Sequence, residues 1–327
     1  MSLRAANPVW LGLDIGGTKI AVVLMDQELR PLSGEIFPTQ TADADALVAG
    51  IETAVCAALT AAQVTAGQIT AVGVGVPGLV NPATGEVHLA VNLNLQHYPL
   101  GTVLTERLNA PVYLENDVRM AALGAFQYVQ QQKPVSNLAY LSIGTGVSAG
   151  LILDGQLYRG SHGMAGEIGH IIVDPAGEMC ACGLRGCLET IIAGPAIARQ
   201  WQAACADFDD EKEITAVSVY NAAQQGDPSA QTVIEHVSTT IARAIQWLVM
   251  AYDVEHIVFG GGVAKSGAAF LDPVLHALAK LSAGSPLAQT MLDAEKMMLL
   301  PSDYNAATWG SILLARKNHK PGLSTEI

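Results

Sequence analysis

The sequence predicts an α/β fold with an internally duplicated domain, and three observations predict it. Glycine is abundant (32 residues) while aromatics are scarce (5%), a balance that suits close backbone approaches in an α/β protein rather than a β-sandwich. Helical periodicities fall between apolar strands, which makes the strands mixed or parallel. The third observation is a repeat. LDIGGTKIAVVLMDQEL (Leu13–Leu29) and LSIGTGVSAGLILDGQL (Leu141–Leu157) lie 128 residues apart. They agree at six of 17 positions: Leu13/Leu141, Ile15/Ile143, Gly16/Gly144, Ala21/Ala149, Asp26/Asp154 and Leu29/Leu157. A period of that length matches one domain, so the chain reads as a duplication.

The elements follow in order. Each repeat copy predicts an apolar strand, a glycine turn, a second apolar strand and a polar turn at Asp26 or Asp154. Leu47, Ile51, Val55 and Leu59 form an i, i+4 stripe, hence a helix before a strand at Ile69–Val76. Asn116 and Asp117 stand in N-cap position before a helix-like run from Met120. Pro195 stands where a helix from Ala196 would start. Val233, Ile234, Val237, Ile241, Ile245 and Leu248 predict the longest helix. It leads to a strand at residues 256–259 and a turn at Gly260, Gly261 and Gly262. Cys56 and Cys205 read as helix core residues.

Composition bounds the function. The 327 residues are enough for two domains, and 50% are hydrophobic against 14% charged, which excludes a disordered chain. The net charge is −13 and the 17 basic residues are scattered, which argues against nucleic acid and anionic membranes as partners. The longest uncharged stretch, between Glu52 and Glu86, is interrupted by Gln63, Gly67, Gln68 and Pro77, so no segment reads as a membrane span. The apolar run from Val9 is broken by Asp14 and Lys19, unlike a signal peptide. Three of the five cysteines, Cys180, Cys182 and Cys187, fall within eight residues. That clustering suggests a metal site in a reducing compartment, and the expected location is cytoplasmic.

Several motifs carry chemistry. In DIGGTK (Asp14–Lys19) the glycines let backbone N–H groups approach an anion, while Thr18 adds a hydroxyl and Lys19 a charge. Alone this fits a hairpin turn with a solvated lysine equally well. Asp14, a carboxylate at a strand end beside a phosphate turn, suits Mg²⁺ and tips the reading. The turn Gly144-Thr145-Gly146 repeats the first, and Gly260-Gly261-Gly262 adds a third backbone cradle. Three such turns in duplicated order read as a nucleotide cleft. Asn116-Asp117 fits a plain helix cap or a proton acceptor for a hydroxyl attacking a γ-phosphate. At a helix N-terminus that carboxylate is expected to stay ionised. Glu167 and His170 fit a surface pair or a grip on vicinal hydroxyls. His170, Cys180, Cys182 and Cys187 fit free thiols beside an imidazole or a closed, structural Cys₃His zinc set.

DIGGTK, GVGVPG (Gly73–Gly78), ENDVRMAALG (Glu115–Gly124), IGTGVSAGLI, AGEIGH (Ala165–His170), CACGLRGCLE (Cys180–Glu189) and FGGGV together resemble the ROK family. The resemblance runs from about Val9 to Ala315. It implies two RNase H-like α/β domains of the hexokinase–actin superfold flanking a cleft, with ATP and Mg²⁺ transferring phosphate to a hexose 6-hydroxyl. The expected division is a small domain over residues 1–117, joined by a C-terminal helix at about 303–327, and a large domain over 118–302. The resemblance makes Asp117 the catalytic base. Asp14, Gly16, Gly17, Thr18, Lys19, Gly144, Thr145, Gly146, Gly260, Gly261 and Gly262 would hold ATP and Mg²⁺. Gly78, Asn92, Asn116, Asp117, Glu167, His170 and Glu189 would hold the sugar. His170, Cys180, Cys182 and Cys187 would hold a structural Zn²⁺.

Glucose is the expected hexose; N-acetylmannosamine, N-acetylglucosamine, mannose, fructose and allose are the alternatives. A sugar-responsive repressor is a competing reading, but only 13 residues precede Asp14, too few for a helix-turn-helix domain. An actin-like ATPase would not need the sugar and cysteine motifs. A homodimer is expected from the family. The sequence departs from the family at Arg119, where many members have Asn, and at Ser148, where Gly is common. It departs again at Ile191 and Ala193, where Tyr and Ser are frequent. SDYN (Ser302–Asn305) has a faint likeness to allose kinases.

Overall fold

The computed structural model describes residues 7–205 and 214–319, in two compact units. The first takes the chain up to Gln132, Gly160–Met164, and the chain from Asn305 onward; the second takes Lys133–Arg159 and Ala165–Tyr304.

In the first unit β1 (Val9–Ile15) and β2 (Lys19–Met25) form a hairpin, and β3 (Pro31–Pro38) pairs antiparallel with β2. α1 (Ala44–Ala61) starts at Asp43, whose carboxylate accepts the Ala46 amide, a standard cap for the first turn. Among the described residues α1 is the one helix long and apolar enough to cross a membrane by length and composition. Its stripe of Leu47, Ile51, Val55 and Leu59 is buried in the same core as Leu11, Leu13 and Ile15 of β1. Cys56 lies off that stripe and is exposed, which corrects the expectation of a core thiol.

β4 (Ile69–Val76) follows, then a small antiparallel sheet of β5 (Leu79–Asn81), β6 (Glu86–Ala90) and β7 (Leu95–Tyr98). α2 (Leu100–Leu108), β8 (Val112–Asn116) and α3 (Asp117–Gln130) complete this stretch. The main sheet runs β3-β2-β1-β4-β8, with β4 parallel to β1 and β8 parallel to β4.

The second unit opens with β9 (Leu138–Ile143), β10 (Val147–Leu153) and β11 (Gln156–Tyr158). Then come α4 (Glu189–Ile192), α5 (Gly194–Ala204), α6 (Ala216–Gln224) and α7 (Pro228–Tyr252). Cys205 is half-buried just beyond the end of α5, not within a helix. β12 (His256–Gly260), α8 (Gly261–Ala264), α9 (Ala268–Ser282), α10 (Pro286–Met291) and β13 (Met297–Leu299) follow. This sheet runs β11-β10-β9-β12-β13, again an antiparallel hairpin joined to parallel strands. The two sheets therefore share one topology, and the 128-residue repeat marks the equivalent hairpins. Leu141, Ile143 and Leu151 share a core with Ile241, Ile245 and Leu248 of α7 and Phe270 of α9.

α11 (Ala306–Asn318) belongs to the first unit. The end of the expected helix, residues 320–327, lies outside the described residues. α11 buries Ile312 and Ala315 against Trp10 and Ala71, on the sheet face opposite α1. Glycines in the sheet permit this: a Cβ at Gly12 would overlap Ser311 Oγ, and one at Gly73 the Ser311 carbonyl. α3 packs on α11 in the same way, with Gly124 against the Ala306 carbonyl and Gly310 against the Met120 carbonyl. A boundary at residue 117 would strip α3 of that partner. The division after Gln132 corrects it.

Candidate active site

Parallel β1, β4 and β8 end at one sheet edge, the place where open α/β sheets take their ligands. The register sets Asp14 beside Gly75, Gly75 beside Glu115, and Val76 beside Asn116. Asn116 caps α3: its Oδ1 accepts the Val118 and Arg119 amides at 3.1 Å each, and its Nδ2 donates to the Gly78 carbonyl at 3.1 Å. Gly78 has φ +87°, and a Cβ there would overlap the Leu89 carbonyl, so the close approach requires glycine. Asp117 Oδ1 accepts the Val118 amide at 2.8 Å.

Two carboxyls share this edge, and each is pushed toward its neutral form. Burial, then the charge of Asp117, raise Asp14 to about 6, against the pull of Lys19. Burial raises Asp117 as well, while the α3 amides and Arg119 act the other way. Burial and the helix N-terminus thus pull the Asp117 carboxyl in opposite directions, with burial the larger. In the β1–β2 turn the Gly16 amide donates to the Lys19 carbonyl at 2.8 Å, and Thr18 and Lys19 are exposed. Asn92 lies against this turn: a Cβ at Gly17 would sit 3.1 Å from its own Cβ.

One feature of this unit escapes the sequence reading. Arg119 and Glu115 form a buried ion pair, Nε to Oε1 at 2.9 Å, with side chains 2% and 0% exposed. Arg119 Nη1 also donates to the Gly163 carbonyl at 2.6 Å, and Glu115 Oε1 accepts the Asn116 amide at 3.0 Å. The departure at Arg119 thus braces the segment that carries Asn116. The available signal was the i, i+4 spacing of opposite charges.

In the second unit the Gly144 amide donates to the Gly146 carbonyl at 2.9 Å, and the Gly144 carbonyl accepts the Gly194 amide at 2.7 Å. The Gly262 nitrogen is 3.7 Å from where a Gly144 Cβ would sit. The turns at 144–146 and 260–262 therefore adjoin each other beside the start of α5. Glu189 is next to them, its Oε2 3.2 Å from the Cβ position of Gly146. The segment before Glu167 lies along β10: Gly166 O accepts the Ala149 amide at 2.8 Å and the Ser148 hydroxyl at 3.2 Å. Ser148 therefore anchors the turn segment that leads into Glu167, which is exposed. Ile191 and Ala193 are absorbed by the core.

His170 Nδ1 lies 3.7 Å from Cys180 Sγ, Cys182 Sγ lies 3.6 Å from Cys187 Sγ, and the four donor atoms are within 4.8 Å of one another. Tetrahedral zinc with Zn–S near 2.3 Å separates its ligand atoms by roughly 3.7 Å, so this donor set fits the ion. Cys180 Sγ donates to Glu189 Oε1 at 3.0 Å, and His170 Nδ1 is 3.6 Å from the same oxygen. Burial first, and then this bond, push the Cys180 thiol up; the Leu184 amide draws the Cys182 thiol down. Glu189, His170 and the cysteines are thus one cluster.

Two sheets of one topology, each pairing a hairpin with parallel strands, define an actin-like two-domain fold. The ROK family profile matches residues 10–318, and the chain belongs to that family. It is 33% identical over 276 residues to a glucokinase of Halalkalibacterium halodurans, covering 81% of this chain and 83% of that one. It is 33% identical over 257 residues to an N-acetylmannosamine kinase of Yersinia pestis, covering 77% and 82%. The crystal structure of a ROK family glucokinase from Streptomyces griseus in complex with glucose and AMPPNP superposes with a TM-score of 0.74. That match has 28% identity and covers 94% of this chain and 99% of the other. The chain is an ATP-dependent sugar kinase.

Proposed function

We propose that this kinase transfers the γ-phosphoryl group of ATP to the 6-hydroxyl of a hexose, with glucose as substrate and Asp117 as the base. The observation that carries the reading is the pairing of Asp117 and Asp14 at the carboxyl ends of parallel strands. A half-buried carboxylate whose pKa is raised toward working pH is a better proton acceptor than a solvated one. The charge of Asp117 raises the pKa of Asp14; a carboxylate pair of this kind also suits a divalent cation, and Mg²⁺ at Asp14 would neutralise charge on the transferring phosphates.

Asn116, fixed by its cap bonds and by Gly78, would grip hydroxyls beside the reacting one. Glu167, His170, Glu189 and Asn92 would hold the rest of the ring. Gly16–Lys19, Gly144–Gly146 and Gly260–Gly262 would cradle the phosphates through backbone amides and the Thr18, Thr145 and Lys19 side chains. His170, Cys180, Cys182 and Cys187 would hold structural zinc, which fixes the His170 ring and the start of α4 at Glu189. The thiols fit a reducing cytoplasm, and the functional unit is proposed to be a homodimer. A coupled ADP-release assay across glucose, mannose, fructose, allose and the N-acetylhexosamines tests the substrate: the highest kcat/KM should fall on glucose. A clear preference for N-acetylmannosamine would replace glucose, and sugar-independent ADP release would overturn the reading.

A further inference from the structure

The small sheet carries a second group of metal-ligating side chains that phosphoryl transfer does not use. Glu86 and His88 stand two apart on β6, so they share one face. β6 pairs with β7 so that Val87 opposes Tyr98 and Leu89 opposes Gln96, which puts His97 directly across from His88. His97 Nδ1 is 3.0 Å from Glu86 Oε1, and His88 Nδ1 is 3.6 Å from the same oxygen. The two imidazoles meet edge to face with centroids 5.4 Å apart. One donor atom from each of the three residues lies within 4.8 Å of the others. His97 has φ +48°, a left-handed conformation that few non-glycine residues adopt.

We propose that Glu86, His88 and His97 form a site for a divalent transition-metal ion of the zinc class, separate from the cysteine cluster. Two imidazole nitrogens and one carboxylate oxygen suit zinc, nickel or copper, whereas Mg²⁺ and Ca²⁺ take oxygen donors. Three protein ligands leave coordination positions for water, and His97 is 68% exposed, so the ion has access.

The site has a mechanical consequence. Its ligands flank residues 91–94, the segment between β6 and β7 that carries Asn92 against Gly17. An ion bridging β6 and β7 clips the base of that segment and holds Asn92 against the β1–β2 turn.

The test is zinc content after equilibrium dialysis of the whole protein at pH 7.5, with amide hydrogen exchange of residues 86–98 as a second readout. The variants are H97N, because Asn tolerates the left-handed conformation, and H88Q, on the half-buried face of β6. Wild type should hold one Zn²⁺ per chain more than either variant, and millimolar Mg²⁺ should not displace it. Exchange across residues 91–94 should slow with zinc in wild type only. Equal zinc in wild type and variants, or displacement by Mg²⁺, overturns the site. An extra zinc that leaves exchange of residues 91–94 unchanged overturns the clip.

Discussion

Replacing Arg119 by Met should destabilise the first unit more than any surface substitution. The guanidinium is buried, pairs with Glu115 at 2.9 Å and donates to the Gly163 carbonyl at 2.6 Å. Methionine fills much of the same space but removes the Arg119 charge from beside the buried Glu115 carboxylate. Breaking a buried pair from one side costs about 3–5 kcal/mol. The loss of the Gly163 bond adds to this where that carbonyl cannot reach water. For a cooperative unit of this size each kcal/mol shifts Tm by about 2–4 °C, so the melting temperature should drop by roughly 6–20 °C.

The assay is thermal unfolding of wild type, R119M, E115Q and the double variant. The double variant should recover most of the loss, because a neutral Gln at 115 needs no counter-charge and can still accept the Asn116 amide. Arg119 also lowers the pKa of Asp117, so the acid limb of the kcat/KM profile of R119M should move to higher pH. An R119M protein that melts within 2 °C of wild type, about the shift of 1 kcal/mol or less, would refute the assignment of the pair as a structural brace.

Three further outcomes follow from the site. Asp117→Asn should retain sugar binding by calorimetry and lose turnover by about 10²–10⁴-fold, the usual share of a general base; wild-type kcat would remove Asp117 from that role. Asp14 has its folded pKa raised from 3.8 to about 6, so the folded state holds a proton that the unfolded chain releases. Stability from this group is therefore present below pH 3.8 and is lost as pH rises through about 6. Asp14→Asn should accordingly flatten urea midpoints across that window and raise them at pH 7.5, while weakening Mg-ATP binding; a lower midpoint at pH 7.5 would contradict the buried-charge argument. Cys182→Ser should remove the cluster's zinc by elemental analysis and raise the sugar KM through Glu189 and His170, with ATP affinity nearly unchanged; zinc-free protein of normal sugar affinity would reduce the cluster to a local staple.

Much of the site was legible because its signals are local. Turn chemistry depends on a few adjacent residues, so DIGGTK and IGTG announced hairpins, and their spacing announced the duplicated topology. The stripe Leu47-Ile51-Val55-Leu59 was readable because helical period and burial coincide along one element. Asn116 was readable as a cap because capping needs only the next three residues, and the structure adds its bond to Gly78. The cysteine spacing named a cluster, although only folding brought Glu189 within 3.0 Å of Cys180.

The sequence by itself determined the order of strands and helices, the two equivalent hairpins and the residue types at each turn, since these rest on periodicity and backbone preference. Tertiary structure decided what depends on distant neighbours. α3 joined the first unit because Gly124 and Gly310 let it close on α11. Cys56 turned to solvent because the sheet claimed the other face of α1. Asp14 acquired its high pKa from burial and from a carboxylate 103 positions later in the chain. Glu86, His88 and His97 met because β6 and β7 pair in one register rather than another. Burial, electrostatic coupling and strand register are properties of residues far apart in sequence, so only the folded chain expresses them.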